Sequence, residues 1–258
     1  MALSDVTRAE LSELASRYPQ ARSALLPMLH LIQSAEGNVT NEGIETCAEI
    51  LDISAAEVSG VATFYTMYKR RPMGEHHVGV CTNTLCAVMG GDLIFERLKG
   101  HLDVGNDETT DDGKVTLEHI ECNAACDFAP VMTVNWEFFD NQTPESAVEI
   151  VDKLRAGETV QATRGATITS WREAERVLAG FEDGLVDEGP GATGPSLAGL
   201  EIAAEKGWAA PPSSASSAPA TVATTKKAAA EQADTSRAES ETVIEQSPAK
   251  TSKEAKDD

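Results

Sequence analysis

The chain has 258 residues, 41% of them hydrophobic and 5% aromatic, and its formal net charge is −21. This length holds one large domain, or two small ones with a polar tail. A surface this acidic repels phosphate groups, so we expect no nucleic-acid partner and no attraction to anionic lipid.

The sequence has no run of about 18 apolar residues, and we therefore expect no direct membrane insertion. Its first residues show neither the basic nor the apolar region of a secretory signal. We thus expect a cytoplasmic chain, in which clustered cysteines more often bind metal than form disulfides.

Residues 1–72 are predicted to form a small helical bundle. Four segments carry apolar residues at helical spacing, and Gly37 is expected to end the second of them. The expected capping residues are Ser4 or Asp5, Thr40 or Asn41, and Ser54, which has capping-box spacing to Glu57.

Three features of this region are interpreted as structural rather than functional. Cys47 lies among apolar residues at helical spacing, which predicts a buried structural thiol. Phe64, Tyr65 and Tyr68 are expected to pack in the core from the fourth helix. The basic stretch 69–71 is interpreted as a solvated helix end, favourably placed at the negative end of the helix dipole.

Residues 73–160 are predicted to form a compact α/β unit with the order β-α-β-β-β-α. Alternating or apolar runs predict strands over 76–80 and 114–122, and 130–141 is predicted to be a hairpin with its turn at 135–136. An acidic loop is expected over 105–113. The inward residues expected for the first helix are Leu93, Ile94, Leu98 and Leu102, and the second helix is expected to start at Thr143-Pro144 and end near Gly157.

Histidines and nucleotide motifs offer weaker candidates for a site. His76, His77 and His119 are interpreted as exposed residues at strand ends rather than as metal ligands. The sequence has no G-x-G-x-x-G or Walker-type loop, so we expect no nucleotide site on this chain.

Residues 161–208 are predicted to be a partly helical extension, and residues 209–258 a disordered low-complexity tail. The tail is too rich in Ala, Ser, Thr, Pro, Lys and Glu to bury enough apolar area for folding. Within the extension, one amphipathic helix is expected to place on one side Trp171, Ala174, Val177, Leu178 and Phe181.

Four cysteines form two pairs, Cys81-x4-Cys86 and Cys122-x3-Cys126, with 35 residues between the pairs. Each pair follows a predicted strand, so the two loops can converge at one end of a sheet. Four thiolates from two loops can hold either a tetrahedral zinc ion or a [2Fe–2S] cluster.

The spacing within the pairs favours iron–sulfur but leaves zinc open. Zinc ribbons prefer C-x2-C, whereas the longer steps found here give wider loops that suit two irons. A C-x-x-C redox motif is absent, which disfavours thiol chemistry. Small residues let backbone N–H groups approach sulfur, and they are Thr82, Asn83, Ala87, Asn123, Ala124 and Ala125.

The stretches "GVATFYTMYKRRPMGEHHVGVCTNTLC" and "ECNAACDFAPVMTVN" resemble the [2Fe–2S] E subunits of NADH–quinone oxidoreductase (complex I). Matching subunits occur in mitochondria and in NAD-linked hydrogenases and formate dehydrogenases. The resemblance covers about residues 10–160. It implies an α+β fold, in which an N-terminal helical bundle precedes a thioredoxin-like α/β ferredoxin domain. It also implies a cis proline at Pro130 and, as cluster ligands, Cys81, Cys86, Cys122 and Cys126.

The resemblance further implies an electron-transfer subunit that is not catalytic by itself. Its cluster would take single electrons from the flavin of a partner, the F subunit, which is expected to carry FMN and NADH. The larger iron–sulfur partner, the G subunit, would follow, with the complex peripheral on the cytoplasmic face of the membrane. Residues 165–208 resemble extensions that lie along a neighbouring subunit.

Two alternatives stay open at the level of sequence. One is the diaphorase subunit of an NAD-linked hydrogenase or formate dehydrogenase. The other belongs to a different class, a zinc-stabilised interaction module without a redox role.

The charge around the cysteines predicts a low reduction potential for a bound [2Fe–2S] cluster. Residues 73–160 carry 17 acidic and 5 basic side chains, and neither cysteine loop contains lysine or arginine. Because the oxidised cluster is already negative, an acidic setting opposes the gain of an electron. Redox titration monitored by EPR measures the midpoint, and a clearly positive value would contradict the prediction.

Overall fold

The computed structural model describes residues 3–185, 188–189, 191 and 194–209. The described residues up to Ala204 belong to one compact unit. The disorder predicted for the tail lies, after Ala209, outside the described residues. The domain boundaries predicted near residues 72, 160 and 208 stay predictions. Within the described ranges, no helix is both long enough and apolar enough to cross a lipid bilayer.

The predicted helical bundle is present at the N-terminus. Its elements are α1 Asp5–Ser16, a 3-10 turn Ala21–Ala24, α2 Leu25–Glu36, α3 Asn41–Leu51 and α4 Ala55–Phe64. Ser4 caps α1 by accepting a hydrogen bond from the Thr7 N–H, and Ser54 and Glu57 form the predicted capping box of α4. Gly37 ends α2 with φ of 85°, a conformation that glycine adopts without steric cost.

The bundle core buries the apolar stripes of all four helices, including Leu11, Leu14, Met28, Leu29 and Ile32. Cys47 is fully buried in this core, as predicted, and burial raises the pKa of its thiol to about 12. Cys47 is therefore a neutral packing residue.

The prediction that Phe64, Tyr65 and Tyr68 pack in the core is correct only for Tyr68, because Tyr65 is 39% exposed and Phe64 more so. Phe64 is 78% exposed and ends the helix, because Tyr65 adopts an extended backbone that turns the chain away. Tyr68 lies beyond the helix but is buried, and its hydroxyl donates to the Leu26 carbonyl oxygen at 3.0 Å. The turn thus directs Tyr68 into the core and leaves Phe64 outside.

The second half of the chain folds around a five-stranded sheet of order β2-β3-β1-β4-β5. Strands β1 and β3 are parallel, and the other neighbouring pairs are antiparallel. The strands are β1 His76–Cys81, β2 Glu108–Thr109, β3 Val115–Ile120, β4 Met132–Val134 and β5 Glu137–Phe139. The helices are α5 Thr84–Met89, α6 Gly91–Leu102, α7 Pro144–Arg155, α8 Trp171–Leu178 and α9 Ala198–Glu205, with 3-10 turns Cys126–Phe128 and Gly194–Ser196.

This sheet confirms the predicted β-α-β-β-β-α order and adds two short elements, α5 and β2. Strand β2 lies in the segment predicted to be an acidic loop. It is short and pairs with β3 through only two residues. Helices α6 and α7 cover one face of the sheet, with a shared core that includes Val78, Val80, Ile94, Leu117 and Val151. Leu93 was expected to face this core but is 67% exposed, because α6 presents the row of Ile94, Leu98 and Leu102 instead.

The β4–β5 hairpin turns at Asn135 and Trp136, as predicted, although neither residue is glycine. Both adopt left-handed backbone angles, with φ of 50° and 74°. Left-handed angles are unfavourable for residues other than glycine, and hydrogen bonds of the Asn135 side chain offset this strain. Its Oδ1 accepts from the His77 N–H at 2.7 Å, and its Nδ2 donates to the Thr169 carbonyl oxygen at 2.7 Å. Tertiary hydrogen bonds therefore replace the usual glycine.

The predicted exposure of His76, His77 and Lys69 is wrong, whereas His119 is exposed as predicted. His76 and His77 are both buried, and His77 Nε2 lies 2.6 Å from Glu118 Oε2. Lys69 is also buried and donates to the same oxygen at 2.5 Å. Burial alone would raise the pKa of Glu118, but the hydrogen bonds and charges of His77 and Lys69 outweigh it and lower the pKa. Lys69 belongs to the segment after α4, and this segment covers the face of the sheet opposite to α6 and α7. The sequence alone does not reveal this contact.

Helix α8 packs on α2, and the side predicted to face inward is correct only in part: Trp171 is buried and Phe181 packs against the bundle core, but Val177 and Leu178 do not face inward. Trp171 and Glu175 are fully buried, whereas Val177 and Leu178 are 40% and 46% exposed. The helix is rotated toward Glu175 because polar donors surround that carboxylate.

The Glu175 carboxylate joins three parts of the structure. Its Oε2 lies 2.6 Å from His30 Nδ1 and accepts from Gln33 Nε2 at 2.7 Å, both on α2. Its Oε1 accepts from Trp136 Nε1 at 3.1 Å, in the hairpin turn of the sheet. A buried carboxylate needs such donors, so the bundle, the sheet and α8 are mutually dependent.

Replacing Glu175 by alanine is expected to lower the free energy of unfolding by about 3–5 kcal/mol, since buried His30, Gln33 and Trp136 lose their acceptor. Chemical denaturation measures this loss. Glu13→Ala is the matched control, because Glu13 makes an exposed ion pair with Arg17 worth about 0.5 kcal/mol. Equal losses in the two variants would contradict the role of Glu175.

Candidate metal centre

The first cysteine pair lies at the end of β1. Cys81 is the last residue of the strand and Cys86 lies within α5, and both are buried. Gly91, the first residue of α6, makes this arrangement possible. A Cβ atom there would lie 2.4 Å from the Cys81 carbonyl oxygen and 2.9 Å from that of Cys86. The loop is therefore closed so tightly that only glycine fits.

The second pair lies in the loop after β3. Cys122 and Cys126 are both exposed, and their Sγ atoms are 3.6 Å apart. Ala124, between them, has φ of 56°, and its N–H donates to Cys122 Sγ at 3.4 Å. A backbone N–H directed at sulfur is an arrangement that stabilises a thiolate and tunes a metal centre.

The sheet brings the two loops together. Strands β1 and β3 are parallel, and Cys81 pairs with Ile120, two residues before Cys122. Cys81 and Cys86 pack with Ala125 and Val131 in a small apolar cluster that includes residues of both loops. The convergence expected from the sequence is therefore present at one end of the sheet.

The neighbouring thiols raise one another's pKa values. Burial raises the pKa of the Cys81 thiol to about 11, with smaller contributions from Cys86 and Cys122, against a backbone hydrogen bond from Asn83 that lowers it. The hydrogen bond and charge of Cys122 raise the pKa of Cys126. Because metals bind thiolate, loading this candidate site with a metal would release protons and would be favoured at higher pH.

The donor set fits a two-iron cluster. Such a cluster takes two thiolates at each iron, and the chain offers its thiols as two pairs from facing loops. Among the described residues, no three His, Cys, Asp or Glu side chains are grouped closely enough to hold one metal ion.

Two contacts that sequence reasoning missed hold the loops in place. Asn83 Nδ2 in the first loop donates to Glu121 Oε2 in the second at 3.0 Å. The Cys81 N–H donates to the Val131 carbonyl oxygen at 3.1 Å, next to Pro130. The Ala129-Pro130 peptide bond is cis, as the resemblance implied. Glu121 directly precedes Cys122 and Asn83 lies two residues after Cys81, but no sequence pattern indicates that the two side chains pair.

A family model of thioredoxin-like [2Fe–2S] ferredoxins matches residues 11–155. The chain belongs to this family. The predicted cofactor, a [2Fe–2S] cluster, is thereby confirmed over zinc, and the predicted thioredoxin-like fold is confirmed as well.

Sequence relatives narrow the family further. The NADH-quinone oxidoreductase E subunit of Mycobacterium tuberculosis strain H37Rv is 61% identical over 201 residues, or 78% of this chain and 80% of that protein. The Rickettsia bellii E subunit is 39% identical over 55% of this chain and 87% of its own length. The chain is therefore a member of the E-subunit family of NADH–quinone oxidoreductases, which confirms the resemblance and places it in an oxidoreductase complex.

Solved structures also match. A thioredoxin-like [2Fe–2S] ferredoxin from Aquifex aeolicus is 24% identical, with a TM-score of 0.28 over 34% of this chain and 86% of that one. An NAD+-reducing [NiFe]-hydrogenase is 16% identical, with a TM-score of 0.47 over 52% of this chain. The chain spans only 23% of the length of that hydrogenase chain.

Gly91→Ala is expected to open the first cysteine loop, reduce the yield of reconstituted cluster and cost about 1–3 kcal/mol of stability. The reason is the 2.4 Å approach of the new Cβ atom to the Cys81 carbonyl oxygen. Absorption of the reconstituted cluster and thermal unfolding measure the two effects.

Gly100→Ala, in the same helix, is the matched control. Its Cβ would meet nothing within 4 Å, so the protein should gain about 0.5–1 kcal/mol and keep its cluster. Full cluster yield in Gly91→Ala would show that the first cysteine loop accommodates a Cβ atom at residue 91, contrary to this prediction.

Proposed function

We propose that Cys81, Cys86, Cys122 and Cys126 hold the [2Fe–2S] cluster, and that the chain is the electron-transfer subunit of an NADH–quinone oxidoreductase. The convergence of the two cysteine loops at the shared end of β1 and β3 supports this function most directly. When bound, the cluster supplies one-electron redox chemistry.

The four cysteines have unequal tasks. Cys81 and Cys86 are buried, so they anchor one side of the site in an apolar environment closed to solvent. Cys122 and Cys126 are exposed and form the side that a partner can approach. The Ala124 N–H stabilises negative charge on the Cys122 sulfur. The chain thus combines a rigid anchor with an accessible edge.

The electron donor is proposed to be the flavin of a partner, the F subunit, which binds FMN and NADH. Electrons then pass toward the larger iron–sulfur partner, the G subunit, in a complex peripheral on the cytoplasmic face of the membrane. The relatives among E subunits and the exposed edge at Cys122 and Cys126 support this assignment. Adding NADH to the anaerobic chain should reduce its cluster only when the FMN-loaded F subunit is present. Reduction by NADH without that partner would overturn the proposal.

Cys122→Ser is expected to lose or weaken the cluster, because a serine oxygen is a poorer ligand for iron than thiolate. Cys47→Ala should keep the cluster and lose only about 1 kcal/mol of stability from its buried site. Anaerobic reconstitution, absorption and EPR of the reduced protein distinguish the variants. Cluster loss in Cys47→Ala with an intact cluster in Cys122→Ser would refute the ligand assignment. A wild-type protein that binds zinc and gives no EPR signal after reduction would refute the [2Fe–2S] cluster itself.

A further inference from the structure

Arg164 lies in the segment after α7, beyond residue 155, where the family match ends. Its guanidinium carbon is 4.0 Å from the centre of the Phe138 ring and 5.3 Å from that of Phe128. Both distances are within the range of a cation–π contact. Arg164 therefore bridges strand β5 and the turn Cys126–Phe128.

Hydrogen bonds fix the guanidinium in this position. Its Nε and Nη2 each donate to a different oxygen of Asp140 at 3.0 Å, the bidentate geometry that arginine favours. Only 23% of the Arg164 side chain and 11% of the Asp140 side chain are exposed. The adjacent Thr163 adds to this, since its N–H and hydroxyl both donate to the Phe138 carbonyl oxygen. The orientation of the guanidinium plane is thus fixed independently of its contact with Phe128.

Phe128 transmits this position to the second cysteine loop. Its N–H donates to the Ala125 carbonyl oxygen at 3.0 Å, and the next N–H, that of Ala129, donates to the Cys126 carbonyl oxygen at 3.3 Å. Its side chain packs against the apolar cluster that contains Cys81 and Cys86. Movement of the Phe128 ring would therefore displace Cys126 relative to the buried pair.

We propose that Arg164 is a positioning residue for the second cysteine loop, holding Phe128 and through it Cys126 in the geometry of the metal centre. The consequence for the cluster rests on the proposed function, whereas the consequence for the loop itself does not. Arginine is suited to this task, because a planar fork can stack on rings while it binds a carboxylate, which lysine cannot do.

Hydrogen exchange of the metal-free full-length chain tests the positioning directly. Arg164→Gln should exchange amide hydrogens faster in the peptide spanning residues 122–130. Arg155→Gln is the matched control: Arg155 also makes two hydrogen bonds to a carboxylate, that of Asp112, in the loop preceding β3 at the other end of the sheet. It removes the same charge and should leave that peptide unchanged.

The reconstituted protein supplies a second measurement, release of iron to a chelator together with the EPR spectrum of the reduced cluster. Arg164→Gln should lose iron roughly threefold to tenfold faster, the rate change that corresponds to a lost cation–π contact. It should also shift the EPR g-values. Phe128→Leu should reproduce both effects, and the double variant should add little to either. Arg164→Lys should show both effects in a weaker form than Arg164→Gln.

The outcomes separate this inference from the proposed function. Unchanged exchange in residues 122–130 together with wild-type iron release in Arg164→Gln would overturn the role of Arg164 while the cluster assignment stands. Strictly additive effects of Arg164→Gln and Phe128→Leu would also overturn it. Faster exchange in that peptide, in a protein that never binds a cluster, would support the positioning role and reject the proposed function.

Discussion

The proposed metal centre depends on the parallel pairing of β1 with β3. Parallel strands end at the same edge of a sheet, so Cys81 at the end of β1 comes to lie beside the loop that carries Cys122. Antiparallel pairing of the same two strands would place the cysteine loops at opposite ends. The pairing is stabilised by residues such as Val78 and Leu117, which are buried beneath α6 and α7. The apolar core on one face of the sheet therefore fixes the strand pairing that brings the thiols together at the end of β1 and β3.

Two carboxylates attach the helical bundle to the sheet, and Glu175 is fully buried whereas 14% of the Glu118 side chain is exposed. Glu175 collects donors from α2 and from Trp136, and Glu118 lies between Lys69 and His77. The rings of His77 and Trp136 lie 4.9 Å apart, so the two networks adjoin. Neither carboxylate could be buried without these partners, since desolvation of an unpaired charge is too costly. The bundle and α8 are thus held to the sheet by complementary polar groups as well as by apolar packing.

The proposed centre combines a buried and an exposed side. Cys81 and Cys86 lie in a small apolar cluster, where tight closure at Gly91 leaves little freedom. Cys122 and Cys126 lie in a loop with little core of its own, so its position comes from contacts made elsewhere in the chain. The Asn83–Glu121 hydrogen bond is one such contact. This division suits a group that must be held firmly and still exchange electrons with a partner.

The sequence by itself determined those features that depend on neighbouring residues. Helix starts such as the Ser54–Glu57 capping box depend on local residues, so they were predicted correctly. Only the tertiary structure decided that Phe64 is exposed, that His77 is buried, and that α8 faces inward with Glu175. Burial of these side chains depends on which distant segment covers them: the partners of Glu175 lie 142 and 145 residues away on α2 and 39 residues away at Trp136. Hydrophobic periodicity carries no information about such polar partners, because it reports which residues avoid water and not which buried charges find a donor.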